Sequence, residues 1–383
     1  MNRPLAALSL GLAVLATACL GKVSVGTLSG DLDAGVPRPP IQLVPDAGSA
    51  PDSGQEADAG DAGHPGVDAG AVDAGPRWPV YDAGVLGDGD FTIGPVYKDA
   101  PELTVPPKTP RGKVYPFTMD SHASPLYPGL TGAYTRRAWV YVPSQYVDGD
   151  AAPFMVVQDG EGYVGNVTAA LDTLIAAKKL PALVTLFINP GPGDGQGSER
   201  GLEYDTVSDR YTRFIETEAL PAMLTLPALL ADRPMIRLTD NPEGRGAMGG
   251  SSGGAAAFTM GWFHPELYRR VLTYSGTFVN QHPDTDYPHS AWEYHEHLIA
   301  ETPAKPLRVF LECGDHDNNL DARFGDGMHN WTTANKAMSK ALAAQGYPER
   351  FLFALDAGHV DGHVVRQTLP EALLWVWRGY PLK

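Results

Sequence analysis

Ala247-Met248-Gly249-Gly250-Ser251-Ser252-Gly253-Gly254-Ala255 is the stretch of sequence that decides the fold. It joins a short predicted strand to an apolar segment rich in alanine, an order that predicts a strand, a tight turn and a helix. Its serines are flanked by glycines, and a turn that strains its central residue tolerates only small neighbours. A serine on such a turn is exposed at the edge of a sheet, where it can act as a nucleophile.

Two registers of this pattern are possible. Residues 249–253 make Ser251 the nucleophile, whereas residues 250–254 make it Ser252. We favour Ser251, because the predicted strand ends at Met248 and Ser251 then occupies the turn. That register also leaves the N–H of Ser252 at a helix N-terminus, where it can bind an oxyanion. A simple Gly/Ser-rich loop is the alternative.

A base and an acid are expected after the serine, because a serine hydroxyl is a weak nucleophile on its own. In sheets of this kind they follow in the order acid, then histidine, each at the end of a strand. Gly314-Asp315-His316-Asp317 follows one predicted strand and Asp356-Ala357-Gly358-His359 follows another. We expect His359 to be the base and Asp317 to orient it, with Asp315 as the alternative acid.

A second oxyanion donor is expected in the loop after an early strand. Val157-Gln158-Asp159-Gly160-Glu161-Gly162 supplies a glycine-containing turn there, and the backbone N–H groups of Gly160 and Glu161 are the candidates. An ordinary strand-to-helix turn is the alternative interpretation of this segment.

Alternating strands and helices beyond residue 127 predict an α/β protein. Such an alternation implies a mostly parallel sheet with helices on both faces, and ligands bind at the carboxyl ends of its strands. Residues 90–127 are expected to be irregular. The predicted strands are 137–142, 154–158, 183–189, 244–248, 307–313 and 351–355, and the predicted helices are 166–177, 210–223, 252–263, 333–345 and 369–377.

An export signal is predicted over residues 1–18, where Arg3 precedes an apolar run and small residues. The run is shorter than the roughly 18 to 20 residues that span a bilayer. Leu15-Ala16-Thr17-Ala18-Cys19 resembles the bacterial lipoprotein signal, which implies that Cys19 is acylated. We therefore expect a lipoprotein anchored to the cell envelope, at the outer membrane or cell surface, with ordinary secretion as the alternative.

Residues 19–76 are predicted to be a disordered tether, and residues 77–383 the folded domain. Asp, Ala, Gly and Pro dominate the tether, with Asp-Ala-Gly recurring, and this composition cannot bury a core. Much of the formal charge of −16 lies there. Because no cluster of Lys and Arg occurs in the sequence, nucleic acid is not expected as a partner.

No metal or cofactor is expected. Residues 315–326 partly match a calcium loop but have Leu320 where the turn needs glycine and Asp326 where the loop needs Glu. The glycine-rich residues 189–201 lack the Gly-Lys-Ser/Thr of a phosphate loop. Cys313 ends an apolar strand and is interpreted as an inert core thiol.

Residues 88–381 resemble the putative-esterase family of α/β-hydrolases, which includes enterochelin esterases, feruloyl esterases and mycolyltransferases. The likeness is strongest to enterochelin-esterase-like bacterial enzymes. It implies the α/β-hydrolase fold, Asp317 as the acid three residues after a strand-end glycine, and a place for Glu203 and Tyr204 near the active site, with a role in positioning substrate. The matching residues are Gln158-Asp159-Gly160, Glu203-Tyr204-Asp205-Thr206, Gly249-Gly250-Ser251-Ser252-Gly253-Gly254, Gly358-His359 with His363, and Leu369-Pro370-Glu371-Ala372.

Ester hydrolysis through an acyl-enzyme on Ser251 is the leading hypothesis. An acyltransferase of the mycolyltransferase type would use the same three residues, and a non-catalytic binding lipoprotein would use only the cleft. The resemblance leaves the substrate open among siderophore, phenolic and glycan esters.

Overall fold

The computed structural model describes residues 89–382. The predicted export signal, Cys19 and the predicted tether lie outside the described residues, so these predictions stay untested. Within residues 89–382, no helix is both long enough and apolar enough to cross a membrane.

A nine-stranded sheet forms the centre of the described part of the chain. Its order is β1-β11-β10-β9-β8-β5-β6-β3-β2, with β4 and β7 forming a separate pair. In this order, the six pairs of neighbouring strands from β1 at the edge to β6 are parallel. Strands β3 and β2 complete the sheet and pair antiparallel. The strands are β1 (Phe91–Ile93), β2 (Lys113–Asp120), β3 (Thr135–Val142), β4 (Ala151–Ala152), β5 (Phe154–Gln158), β6 (Val184–Ile188), β7 (Arg237–Leu238), β8 (Arg245–Gly250), β9 (Arg270–Tyr274), β10 (Arg308–Gly314) and β11 (Glu349–Ala354).

Helices cover both faces of the sheet, as predicted. The helices are α1 (Gly160–Ala176), α2 (Glu199–Tyr204), α3 (Arg210–Phe214), α4 (Leu220–Leu224), α5 (Pro227–Asp232), α6 (Ser252–Phe263), α7 (Ile299–Glu301), α8 (Asp321–Phe324), α9 (Trp331–Ala344) and α10 (Gly362–Val376). Apolar side chains of α1 and α10 pack on one face, and those of α6 and α9 pack on the other. Every residue of β5 and β8 is buried, because helices exclude water from both sides of the central strands.

Several predicted boundaries are wrong for identifiable reasons. The helix predicted over 166–177 begins at Gly160, because the turn at Asp159 leads directly into it. The helix predicted over 210–223 is interrupted by a π-turn, Ile215–Ala219. Pro221 lacks the N–H that an α-helix would use there, and its ring would clash with the carbonyl four residues earlier.

The N-terminal lead is not irregular, which corrects the prediction for residues 90–127. It contains β1 and the eight-residue edge strand β2. Strand β2 carries Pro116 and exposes every second or third side chain, a pattern that an edge strand tolerates. Strand β9 was also missed, because it begins with Arg270, a charged residue that is only 2% exposed here and donates to the Glu243 carbonyl.

Candidate active site

Ser251 occupies a strained turn between β8 and α6. Its backbone angles are φ 56° and ψ −132°, a combination that residues other than glycine rarely adopt. A Cβ at Gly249 would lie 2.3 Å from the Gly253 carbonyl oxygen, and one at Gly253 would lie 2.8 Å from Oδ2 of Asp159. Gly249 is therefore required, because its clash is with backbone, whereas a Cβ at Gly253 would force the Asp159 side chain to shift. Because Ser251 stands on the turn and Ser252 begins the helix, the geometry matches the favoured register.

Hydrogen bonds connect Ser251, His359 and Asp317. The His359 Nε2 atom lies 2.8 Å from Ser251 Oγ, and His359 Nδ1 lies 2.5 Å from Asp317 Oδ1. Asp315 instead accepts the Ala357 N–H at 3.3 Å. The structure therefore brings together the serine, histidine and acid that the sequence proposed, and it places Asp317 rather than Asp315 against the imidazole.

Asp317 is held as a carboxylate by its surroundings. Its side chain is fully buried, and it accepts the Asn318 N–H at 2.6 Å and the Cys313 S–H at 3.1 Å in addition to its bond with His359. Burial alone would raise its pKa, but the hydrogen bonds and charge of His359 and the Cys313 thiol outweigh burial and lower the pKa below the usual value for Asp.

Cys313 has a contact that the sequence did not reveal. Burial raises the pKa of its thiol well above the usual value, so the group stays protonated and can donate to Asp317. The interpretation as a core thiol holds for its location, since the residue is fully buried. It is nevertheless a direct neighbour of the acid.

Trp331 packs against the imidazole from the start of α9. The two rings meet edge to face with their centroids 5.7 Å apart, and the indole N–H donates to Thr277 Oγ1 at 3.1 Å. Thr277 Oγ1 in turn lies 3.4 Å from Ser251 Oγ. Sequence reasoning missed both residues, because neither stands in a motif and only the packing of α9 brings them to the site.

The predicted oxyanion donors lie at the starts of two helices. The N–H groups of Ser252 and Gly160 are the first of α6 and α1, where no acceptor exists within the helix. The N–H of Glu161 already donates to Asn189 Oδ1 at 3.0 Å. Of the two residues proposed in this turn, Gly160 is therefore the better placed.

Glu203 and Tyr204 do not line the cavity at Ser251. Glu203 is 1% exposed, and both of its carboxylate oxygens bind the guanidinium of Arg136. Tyr204 is equally buried, and its hydroxyl accepts the Asp159 N–H at 3.3 Å. Neither side chain reaches the cavity, and the predicted role of these residues in positioning substrate stays a prediction.

A cavity of about 430 Å³ opens at Ser251. Its lining combines apolar and charged side chains and includes Tyr163, Asn166, Arg200, Val360 and Arg366. A more apolar cavity of about 450 Å³ lies near Pro153, at the opposite end of β5 from the reactive groups. Of these two cavities, the first is lined by Ser251. Among residues 89–382, no group of three or more His, Cys, Asp or Glu side chains is arranged to hold a metal ion.

Comparisons with known proteins agree with this architecture. The model of the family described as putative esterase matches residues 134–375. The iron(III) enterobactin esterase of Dickeya dadantii (strain 3937) is 28% identical over 253 residues, which cover 64% of this chain and 52% of that protein. The uncharacterized protein YbbA of Bacillus subtilis (strain 168) is 24% identical over 264 residues, covering 64% and 94%.

A solved structure supports the fold independently of close sequence similarity. The ferulic acid esterase of the anaerobic fungus Anaeromyces mucronatus superposes with a TM-score of 0.51 at 11% identity, covering 75% of this chain and all of that one. This chain spans only about half the length of the enterobactin esterase. The α/β-hydrolase fold is confirmed, and, because the family model matches more than half of its residues, the chain belongs to the putative esterase family of ester hydrolases.

Proposed function

We propose that this protein is a serine carboxylic-ester hydrolase that forms an acyl-enzyme on Ser251, with His359 as base and Asp317 as acid. The observation that carries the proposal is the continuous line of hydrogen bonds from Ser251 Oγ through the imidazole to the buried carboxylate. Membership of the putative esterase family and the likeness to an enterobactin esterase support the same reaction class.

In the first step, Ser251 Oγ attacks the ester carbonyl while His359 Nε2 takes the serine proton. The imidazolium then gives this proton to the departing alkoxide, which leaves an acyl group on Ser251. Asp317 accepts from Nδ1 throughout, so it fixes the tautomer in which Nε2 is free to accept, and its charge stabilises the imidazolium. Water activated by the same imidazole releases the acid in the second step.

Negative charge on the carbonyl oxygen requires donors that are already in place. The N–H groups of Ser252 and Gly160 lie on helix starts, where the aligned peptide dipoles favour an anion. Loss of one such donor typically costs about 2.7 to 4 kcal/mol in the barrier.

Hydrolysis of a short p-nitrophenyl ester, combined with mapping of the site that a fluorophosphonate labels, tests the proposal. We expect labelling on Ser251, and we expect Ser251→Ala to lower turnover by about a millionfold and to abolish labelling. Ser252→Ala is the comparison for the labelling site: it removes the neighbouring hydroxyl and its bond from Arg200 but leaves the backbone donor, so the label should still map to Ser251 even where turnover falls. Labelling on Ser252, or undiminished turnover of Ser251→Ala, would contradict the assignment.

Two other outcomes would assign a different function to the same site. If added alcohols or sugars divert the acyl group from water, the protein is an acyltransferase that uses the same three residues. If the wild-type protein neither turns over an ester nor takes up the label, it is a binding protein that retains the fold.

Enterobactin is the first natural ester to test, because the relative from Dickeya dadantii is named for its action on the iron(III) complex. Phenolic and glycan esters are the comparison set. A preference for one set, measured as kcat/KM, assigns the substrate class.

The site of action is proposed to be the cell envelope. The sequence Leu15-Ala16-Thr17-Ala18-Cys19 supports lipid attachment at Cys19 and export of the domain. We expect radiolabelled palmitate to be incorporated into the wild-type protein but not into Cys19→Ser, and the variant to leave the membrane fraction. Membrane association of an unlabelled Cys19→Ser protein would contradict this anchor.

A further inference from the structure

The two candidate oxyanion donors lie on separate elements. Ser252 begins α6 after β8, and Gly160 begins α1 after β5; these strands pair in parallel, with Val157 opposite Met248. Two donors stabilise one oxyanion only when both lie about 2.7 to 3.1 Å from the same oxygen. The turn after β5 must therefore be held at a fixed position relative to the turn after β8.

Asp159 forms the turn after β5 in a left-handed conformation, with φ 52° and ψ 41°. Two residues of α2 hold it there. Its backbone N–H donates to the Tyr204 hydroxyl, and its two carboxylate oxygens accept from Arg200, at 3.1 Å from Nε and 2.9 Å from Nη2. A two-point contact between a guanidinium and a carboxylate fixes orientation as well as distance.

Arg200 also reaches the turn that carries the nucleophile. Its Nη1 donates to Ser252 Oγ at 3.1 Å, and that hydroxyl donates to Asp205 Oδ2 at 3.1 Å. The Arg200 side chain is only 13% exposed. Burial opposes its charge, but the hydrogen bonds and charge of Asp159 outweigh burial and raise the pKa, so the guanidinium stays charged at any pH the fold survives.

We propose that Arg200 is a positioning residue for the oxyanion hole. Its guanidinium joins the turn at Asp159 to the first turn of α6 and thereby holds the N–H groups of Gly160 and Ser252 at one oxygen. The inference rests on the proposed function, because an oxyanion hole has a role only if Ser251 attacks an ester.

The planar guanidinium is required because the two oxygens of Asp159 and the Ser252 hydroxyl lie in different directions around it, in addition to the exposed Asp194. Lysine would supply the same charge but could not bind both oxygens of Asp159 and the Ser252 hydroxyl together. A misplacement of about 1 Å at a reacting centre can cost about a hundredfold in rate. The loss should fall on kcat rather than KM, because the oxyanion forms only after the substrate is bound.

Steady-state kinetics of Arg200→Ala on a p-nitrophenyl ester test the inference. We expect kcat to fall about a hundredfold with KM within about threefold, and we expect added guanidinium ions to restore part of the lost kcat. Arg200→Lys should recover less than about a tenth of wild-type kcat. The matched control is Asp194→Ala: Asp194 binds the same guanidinium at 2.6 Å but is 83% exposed. Its kcat should stay within about twofold of wild type.

A fall in kcat for Arg200→Ala that is no larger than for Asp194→Ala overturns the inference, and so does a rise in KM at unchanged kcat, which would make Arg200 a substrate-binding residue. If circular dichroism shows that Arg200→Ala is unfolded, the kinetics of Arg200→Lys take its place as the test. A kcat of Arg200→Lys equal to that of the wild type then overturns the inference. A wild-type protein that neither hydrolyses esters nor labels on Ser251 refutes the proposed function and this inference with it. Labelling of the wild type with unaffected Arg200 variants refutes this inference alone.

Discussion

Replacement of Asp317 by asparagine removes the charge beside His359 while it preserves the shape of the side chain. The carboxylate accepts from His359 Nδ1 at 2.5 Å, from the Asn318 N–H at 2.6 Å and from the Cys313 S–H at 3.1 Å. An amide offers one oxygen and one NH2 group in place of two oxygens. With its oxygen toward His359, the amide keeps the bonds from His359 and Asn318 and turns its NH2 group to the Cys313 sulfur, a weak acceptor. In the reverse orientation it loses the bonds from both His359 and Asn318.

The size of the effect follows from these contacts. If the amide oxygen faces His359, the tautomer is retained but the imidazolium loses its negative partner in a buried site. If the NH2 group faces His359, Nδ1 must accept and Nε2 can no longer take the proton of Ser251. Either arrangement should lower kcat by about 10³- to 10⁴-fold, or about 4 to 5.5 kcal/mol.

Asp315→Asn is the matched control for this substitution, because Asp315 lies two residues away and follows the same strand. Its side chain is 29% exposed, and its Oδ1 accepts the Ala357 N–H at 3.3 Å and lies 3.9 Å from His316 Nδ1. We expect its kcat on a p-nitrophenyl ester to stay within about threefold of wild type. The assignment of the acid is refuted if Asp317→Asn keeps more than a tenth of wild-type kcat, or if Asp315→Asn loses more activity than Asp317→Asn.

Three further substitutions probe the surroundings of the site. Cys313→Ala removes one donor to Asp317, so it should raise the pKa of that carboxyl, measured by NMR titration of its carboxyl carbon, and an unchanged pKa would contradict this. Gly253→Ala places a Cβ 2.8 Å from Asp159 Oδ2 and should lower the free energy of unfolding, measured in urea, by about 1 to 3 kcal/mol. An unchanged midpoint of the urea transition would contradict this prediction. Burial raises the pKa of Asp205 to about 7, well above its value in an unfolded chain. Between about pH 4 and 7 the folded state therefore binds a proton that the unfolded chain has lost, and the free energy of unfolding of the wild type should fall as the pH rises. The free energy of unfolding of Asp205→Asn should fall less over that pH interval, and the same pH dependence in both proteins would contradict the raised pKa of Asp205.

The parts of the site that the sequence predicted are those with local signatures. The glycines two residues on either side of Ser251 are favoured because a Cβ at Gly249 would clash with backbone and one at Gly253 would clash with the Asp159 side chain, so the sequence pattern reflects the geometry of the turn. Asp317 and His359 follow strands β10 and β11, and strand ends in a parallel sheet meet at one edge. Helix α6, Ser252–Phe263, was predicted with its observed bounds because the same turn fixes its start.

The parts that the sequence did not predict depend on contacts between distant segments. Arg200 lies in a glycine-rich stretch with no motif of its own, and its role emerges only when α2 packs beside both turns. Trp331 reaches His359 because α9 crosses the face of the sheet. Glu203 was identified by family resemblance, but the resemblance does not distinguish a group that contacts substrate from one that pairs with Arg136 inside the wall.

Backbone strain connects these observations. Seven non-glycine residues within 89–382 have positive φ, and five of them follow the carboxyl ends of strands β5, β8, β9 and β11: Asp159, Ser251, Ser275, Asp356 and Val360. Such conformations cost about 1 to 3 kcal/mol each and persist only where neighbouring contacts enforce them. At Val360 the enforcing contact is a hydrogen bond from its N–H to Ser275 Oγ at 2.9 Å, and at Asp159 it is the Arg200 guanidinium. The strained turn at Ser251 is therefore one of several at this edge of the sheet. On the proposed function, the polar contacts that maintain the other strained turns help to bring the hydroxyl, the imidazole and the oxyanion donors to one point.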